Sequence, residues 1–450
     1  MERLYPPYVA PARQPLRFPF NLTKLLDNNL EIIPDQAYDD AIVVAPGPPR
    51  MAFITSPDLI KELLLTRHDE FPKGGVQVEV LKPIFGNAMV SSEGDDWRWQ
   101  RRVAAPLFRH DELLQYAPVM SAAAEGTVRK WLNAPGTVHP LHTDMMRAAF
   151  HVISNTMLVG GAAEMLGAIE KGHADYYRAA NWWVLYTLLG LPHWLPRPGG
   201  QAMRAHEARM RLAVSDLVRE RRDEATRGDD LLARLLQATD PETGRAMDNT
   251  LVVDNIVSFL MAGYDTTAFS LTWTLYLVSQ SPEWEARIVE EVQRVAGTGP
   301  VCGEHVERLV VVQQVLSESM RLFPTAPIIV RDFVTDAKVD GVTIPAGTIG
   351  IIPIYAVHRH RRLWRDPNCF DPSRFAPDAA HRPTRYEFMP FGAGPRICIG
   401  AAFAMIETTI MLATFVRAAR FEAPVGFRPE PSGRMFLLPK NGMPLRVTAR

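Results

Sequence analysis

Cys398 lies in the stretch FGAGPRICIG, Phe391 to Gly400, where three glycines, a proline and an arginine surround one thiol. Gly392, Gly394 and Gly400 allow backbone angles and close approaches that a side chain blocks, so the loop can wrap a flat or charged object. The run that follows, AAFAMIETTIMLATFVRAARF, repeats Phe403, Ile406, Ile410, Ala413 and Val416 at helical spacing. Cys398 is therefore expected at a helix N-terminus, where free N–H groups and the helix dipole favour a thiolate and lower its pKa. A thiolate is a strong ligand for iron. The plainer reading is a buried structural cysteine, the common fate of a lone thiol. A phosphate cradle is excluded because the glycines do not fall as GxGxxG after a strand.

Other residues with chemical potential stand in unusual surroundings. In WRWQRR, Trp97 and Arg101 are one helical turn apart, which by itself describes an exposed basic face. In AGYDTT, Ala262 to Thr267, a glycine, an acid and two hydroxyls interrupt a run that is apolar nearly all round. Asp265 and Thr266 are costly to bury without partners, so they mark either a satisfied internal cap or a functional site. Glu318 and Arg321 sit among Leu316, Met320, Leu322 and Phe323, and a buried pair of charges requires full pairing. His139 and His142 in HPLH have no partner at metal-ligand spacing.

Taken together, Phe391, Gly394, Arg396, Cys398 and Gly400 resemble the haem-binding loop of the cytochrome P-450 superfamily, and the other constellations follow in that family's order from Trp97 onward. The resemblance implies a soluble, bacterial-type haem-thiolate monooxygenase that inserts one oxygen atom of dioxygen into an apolar small molecule. It implies haem b as cofactor, with Cys398 as axial ligand and metal site, and Ala262, Phe391 and Gly392 against the haem. By family position Trp97, Arg101, Arg331, His358 and Arg396 clamp the propionates, and Asp265 and Thr266 relay protons. Glu318, Arg321 and Arg374 form a structural lock. Ile328, Ile329, Val330, Met435 and Phe436 become substrate-contact candidates. The chain departs from the family's HRD pattern at His360, which stands where an Asp is expected. Electrons would come from a ferredoxin-type or flavodoxin-type partner, with Arg98, Arg102, Arg109, Arg361 and Arg362 as a basic docking face. A peroxide-driven oxygenase of the same fold, and a haem-based sensor without turnover, are the alternatives.

The elements that must position these groups are mostly helical. Asp248 opens the longest pattern, expected from Asn249 to about Gln280 and roughly 45 Å long. Leu309 to Phe323 reads as a helix stopped by Pro324, and Met51 to Arg67 as a strand followed by a helix with Ser56 at the cap and Pro57 at its first position. FPKGGVQVEVLKPIFGNAMVSSEGDD reads as an irregular apolar loop over a ligand cavity. NWWVLYTLLGLPHWLPRPGG reads as an aromatic lid with a possible membrane-surface face. IIVRDF and VTIPAGTIGII read as strands, and LPKNGMP as a hairpin that Met435 and Phe436 precede. The family fold, mainly α with small β-sheets, is the expected architecture.

Composition bounds the rest. The 450 residues are 47% hydrophobic and can bury a large core, and the proline-rich stretches are flanked by apolar sequence, so one domain over 1–450 is expected, with a Pro-rich segment at about 1–20. A net charge of −1 argues against nucleic acid as a partner. Three cysteines can build neither a disulfide framework nor a four-thiolate cluster. The N-terminus has no signal-peptide pattern and no apolar run reaches transmembrane length without a charge, which points to a cytoplasmic protein.

Overall fold

The computed structural model describes residues 3–13, 22–45, 47, 49–158, 179, 182–187, 191–192, 194–223 and 230–450. Its spine is the long helix Asn249–Ser279, capped by the Asp248 carboxylate, which accepts from Leu251 N at 2.8 Å. This helix is buried along almost its whole length, as expected for a helix apolar on every side. Helices Leu141–Met157, Val310–Leu322 and Ala401–Ala418 pack against it, and helix Gly200–Asp223 lies across it. Gly263 serves one of these contacts, since a Cβ there would lie 2.9 Å from Ile153 Cδ1. What approaches the glycine backbone is therefore a neighbouring helix.

The sheets are small. Ile42–Ala45, Met51–Ile54, Thr348–Ile352 and Ile329–Phe333 form a four-stranded sheet in that order, with Arg331 opposite Gly350 and Ile329 opposite Ile352. A second apolar cluster, including Ile54, Leu63, Phe71, Phe333 and Ile352, packs around this sheet beside the main core. Val138–Pro140, Pro444–Ala449 and Ala419–Glu422 form a three-stranded sheet. The architecture is mainly α with small β-sheets.

Three local expectations change. The apolar stretch after Phe71 contains a helix, Gly75–Phe85, since its Val, Leu and Ile residues find a helical face despite Pro83. The run after Cys398 leaves the helix at Ala418 and continues as strand Ala419–Glu422, because Val447 and its neighbours provide a partner strand. The C-terminal hairpin pairs Pro431–Gly433 with Leu437–Pro439, so Met435 and Phe436 occupy its turn rather than precede it. Helix Ala401–Ala418 is long and apolar enough to cross a membrane by composition, yet 67% of it is buried within the protein. The aromatic lid segment lies partly outside the described residues.

At the charge hub the buried arginine has a partner for every N–H. Arg321, fully buried, has five N–H groups. It donates to Glu318 Oε2 at 2.6 Å, Glu318 Oε1 at 2.7 Å, His358 O and Pro367 O at 2.7 Å each, and Cys369 O at 3.0 Å. Glu318 Oε1 also accepts from Asp371 N at 2.8 Å and faces Arg374 Nε at 3.5 Å, a charge contact rather than a hydrogen bond. The expected lock of Glu318, Arg321 and Arg374 is thus assembled. Arg321→Ala removes five donated hydrogen bonds, leaving the buried Glu318 carboxylate with only Asp371 N and the Arg374 charge and leaving three carbonyls without this donor, and is expected to cost about 3–5 kcal/mol. Chemical denaturation measures this; a loss under 1 kcal/mol would show that the hub is dispensable.

Candidate functional site

Cys398 lies two residues before Gly400, the N-cap of helix Ala401–Ala418. Its loop is built against the turn Glu62–Thr66. Gly394 has φ +74, and a Cβ there would sit 1.9 Å from Leu64 O, so no other residue fits. Gly392 has φ +73, and Ile329 lies close to it. Cys398 N donates to Phe391 O at 2.9 Å and Gly392 N to Met389 O at 3.0 Å, which closes the loop on itself.

The Cys398 thiol is accessible, yet it is walled in by protein. Burial pushes the thiol up, and the Gly400 N–H and the Arg101 charge only partly oppose this. The expected lowering by the helix terminus is therefore corrected: in a low-dielectric recess, desolvation outweighs one N–H and one guanidinium. A cation bound directly to the sulfur reverses that balance, because a coordinating thiol is deprotonated outright.

Three residues interrupt the burial of the long helix and open a window along it. Ala262 is exposed, and Gly263 and Thr266 are half-buried, while the residues on either side are buried. Thr266 Oγ1 donates back to Ala262 O at 2.8 Å, and Asp265 is 1% exposed. On the following position, Thr267 Oγ1 donates to Glu407 Oε2 at 3.2 Å, which ties this helix to the one behind Cys398. Glu407 is held well above the usual carboxylate range by complete burial. Nothing in the sequence flagged this pair, since a Glu in a helical run reads as surface.

Cations converge on the same region. Arg101 is half-buried, its charge is disfavoured by desolvation, and its one electrostatic neighbour of note is Cys398. Arg331, 7% exposed, is pushed down to about 10 by burial and by Arg396. Lys73, whose ammonium bonds Val90 O and whose backbone forms an isolated antiparallel β-bridge with Arg331, is pushed down to about 7 by burial and by the Arg396 and Arg331 charges. Arg396 donates to Ser92 O at 3.1 Å and Glu93 Oε2 at 2.8 Å, and its guanidinium lies 4.2 Å above the Trp97 ring. Glu93 is the carboxylate that compensates this group. Lys73 and Glu93 were missed from sequence because nothing near them in the chain suggests that they meet.

Other expected members fall elsewhere. His358 is completely buried, donates from Nδ1 to Arg321 O at 3.2 Å and accepts from Met389 N at Nε2 at 3.0 Å. With both ring nitrogens committed to backbone, it is no propionate donor. It is a brace between the charge hub and the cysteine loop. The trio Ile328, Ile329 and Val330 is divided by strand alternation: Ile329 is near Gly392, whereas Val330 packs on Gly74. Phe436, at its hairpin turn beside Met435, lies 6.0 Å from Phe269 of the long helix. The basic docking face is largely neutralised. Arg98 pairs with Asp69 and Asp95, Arg102 with Asp240 and Glu242, Arg361 with Asp35 and Asp39, and Arg362 with Asp40.

These residues suit a flat group carrying carboxylates and a metal. Arg101, Arg331, Lys73 and Arg396 provide more positive charge than Glu93 offsets. Among the described residues no group of three or more His, Cys, Asp or Glu is placed to hold a metal ion. A metal held by Cys398 must therefore bring its other ligands with it. The family model for cytochrome P450 matches residues 33–447. The chain belongs to the cytochrome P450 family. Its cofactor is haem and it is a monooxygenase, an oxidoreductase that requires dioxygen, a redox partner and a small-molecule substrate. Cyclooctat-9-en-7-ol 5-monooxygenase of Streptomyces melanosporofaciens is 32% identical over 387 residues, 84% of this chain and 82% of that protein. Pentalenene oxygenase of Streptomyces avermitilis is 30% identical over 99% of this chain and 96% of its own length. Among solved structures, the cytochrome P450DA haem domain superposes with a TM-score of 0.79 at 25% identity, covering 91% of this chain and 90% of that one.

The brace role of His358 has a pH signature. Burial pushes its pKa down to about 3, and that of His142 to about 4, against about 6.5 in an unfolded chain. Between these values the unfolded state binds more protons, so stability present above pH 6.5 is lost as pH falls, by about 1 kcal/mol per unit for each histidine. In His358→Asn, which can keep one donor and one acceptor, about half of this combined slope is expected to vanish in urea titrations from pH 7 to 4.5. An unchanged slope would remove His358 from this role.

Proposed function

We propose that the cation-lined recess holds the haem and that Cys398 Sγ is the iron's protein ligand. The observation that carries this reading is one accessible but desolvated thiol beside Arg101, a half-buried cation with no carboxylate pairing it among the described residues. When bound, the haem supplies the iron at which dioxygen is activated and one oxygen atom is passed to the substrate. The protein's own residues orient and protect that chemistry. Arg101, Arg331 and Arg396 hold the haem carboxylates, with Lys73 beside them and Trp97 keeping the Arg396 plane in place. The Gly400 N–H stabilises the sulfur's negative charge. Phe391 and Gly392 on the cysteine loop and Ala262 on the long helix would contact the bound haem.

Proton delivery falls to Asp265 and Thr266. Thr266 Oγ1, now bonded to Ala262 O, can turn its hydroxyl toward the recess, and Asp265 stands beside it as a buried acid. This pair favours dioxygen as oxidant, since peroxide brings its own protons. The substrate is an apolar molecule of the terpenoid kind, a reading supported by relatives named for cyclooctat-9-en-7-ol and pentalenene. Ile328, Ile329, Met435 and Phe436 are the candidate contacts. These 450 residues carry no flavin or nicotinamide fingerprint and too few cysteines for an iron–sulfur centre, so a ferredoxin-type or flavodoxin-type donor supplies the electrons. With Arg98, Arg102, Arg361 and Arg362 already paired, a donor that docks by charge must use other cations or compete for these.

Cys398→Ala is expected to abolish the strongly red-shifted carbon-monoxide band of the reduced protein; a variant that keeps it has its iron on another atom. Thr266→Ala is expected to go on consuming reductant while product per reductant falls at least fivefold, with a substrate chosen by its spectral shift. Unchanged coupling would refute the relay.

A further inference from the structure

Residues 86–93 link helix Gly75–Phe85 to helix Gly94–Ala104, and they touch two distant parts of the protein. One end is seated on the long helix, two to three turns before the Ala262 window. Asn87 N donates to Asp254 Oδ2 at 2.7 Å and Met89 N to Asn255 Oδ1 at 3.0 Å. Asn87 O accepts from Gln100 Nε2 at 3.0 Å, and Gln100 Oε1 in turn accepts from Asn255 Nδ2 at 3.0 Å. Gly86 makes the approach possible: its φ is +56, and a Cβ would lie 2.4 Å from the Asp254 carboxylate. The other end faces the cysteine loop, where Val90 O receives Lys73, and Ser92 O and Glu93 receive Arg396.

Asp254 has a second charge partner. Its Oδ1 accepts from Arg211 Nη1 at 2.5 Å, and Arg211, on helix Gly200–Asp223, also donates to Ile84 O at 3.2 Å and to Glu207 Oε1 at 3.0 Å. Asp254 is 3% exposed. One buried carboxylate thus holds both the crossing helix and the segment that presents Glu93. A carboxylate so buried needs its cation, and if Arg211 moves away it must be rehydrated, which pulls on Asn87 N.

We propose that Asp254 is a positioning residue that couples the crossing helix to the cations at the haem edge, so that the place of Arg211 sets how firmly Glu93 compensates Arg396. The inference rests on the haem reading of the recess. Loss of Glu93 from its place leaves Arg396, Arg331 and Lys73 less neutralised, which favours the electron-richer ferrous state and raises the reduction potential.

The test uses holoprotein of Glu93→Gln, Asp254→Ala, Asp254→Asn and Arg211→Met, each first shown to retain the parent's ferrous carbon-monoxide band. Two quantities are read: amide hydrogen exchange of residues 86–93, and the ferric/ferrous midpoint potential. Glu93→Gln is expected to shift the ferric/ferrous ratio about threefold toward ferrous, about 28 mV at 59 mV per tenfold. Asp254→Ala is expected to speed exchange at Asn87 and Met89 at least tenfold and to shift the potential in the same direction. Combined with Glu93→Gln it should add nothing to the potential. Arg211→Met is expected to do both to a smaller degree, and with Asp254→Asn it carries the test if Asp254→Ala does not fold. Faster exchange with an unchanged potential would overturn the coupling, as would fully additive shifts or unchanged exchange in every variant. Each of these would leave the assignment of Cys398 standing, because that is decided by the carbon-monoxide band of Cys398→Ala.

Discussion

The five-fold donation of Arg321 is the constraint on which the rest of the structure depends. A guanidinium removed from water must find an acceptor for every N–H. Here Glu318 supplies two and the carbonyls of residues 358, 367 and 369 supply three. Those carbonyls belong to a stretch with little regular structure, so the charge folds a loop that has few hydrogen bonds of its own. The order continues outward. Arg321 O holds the His358 ring, that ring receives Met389 N, Met389 O receives Gly392 N, and Phe391 O receives Cys398 N. Each link is a single hydrogen bond of about 1 kcal/mol, yet the series leaves the cysteine loop little freedom.

The recess beyond that loop is electrostatically unfinished. Desolvation acts on the thiol, on Arg101, Arg331 and Arg396, and on Lys73, and among the described residues Glu93, with Asp69 near Arg396, answers several cations. A folded protein tolerates such an imbalance where a ligand completes it. Haem, the cofactor of this family, brings both negative carboxylates and a cation for the sulfur. The same burial that raises the thiol's pKa makes its bond to a metal cation stronger, since no water competes.

The basic residues outside the recess show the opposite situation. Four arginines that read along the chain as a positive face are each within reach of aspartates or glutamates from other segments. Arg361, for example, faces Asp35 and Asp39, more than three hundred residues earlier. Exposed pairs of this kind add little stability, but they remove the net field that would attract an acidic partner.

Sequence alone determined the family, the helical spine, the cysteine loop and the charge hub, because each is written in local spacing: glycines around a thiol, an acid and an arginine one turn apart, a cap before a long apolar run. It did not determine which way a side chain faces or what meets it across the fold. By family position His358 reads as a cofactor contact, yet it is a brace; the stretch after Phe71 reads as a loop, yet it contains a helix; and nothing local points to Lys73, Glu93, Asp254 or Glu407. Tertiary structure decided these. The physical reason is that desolvation and charge pairing depend on everything within a few ångströms in space, and for these residues the deciding neighbours lie from tens to hundreds of positions away.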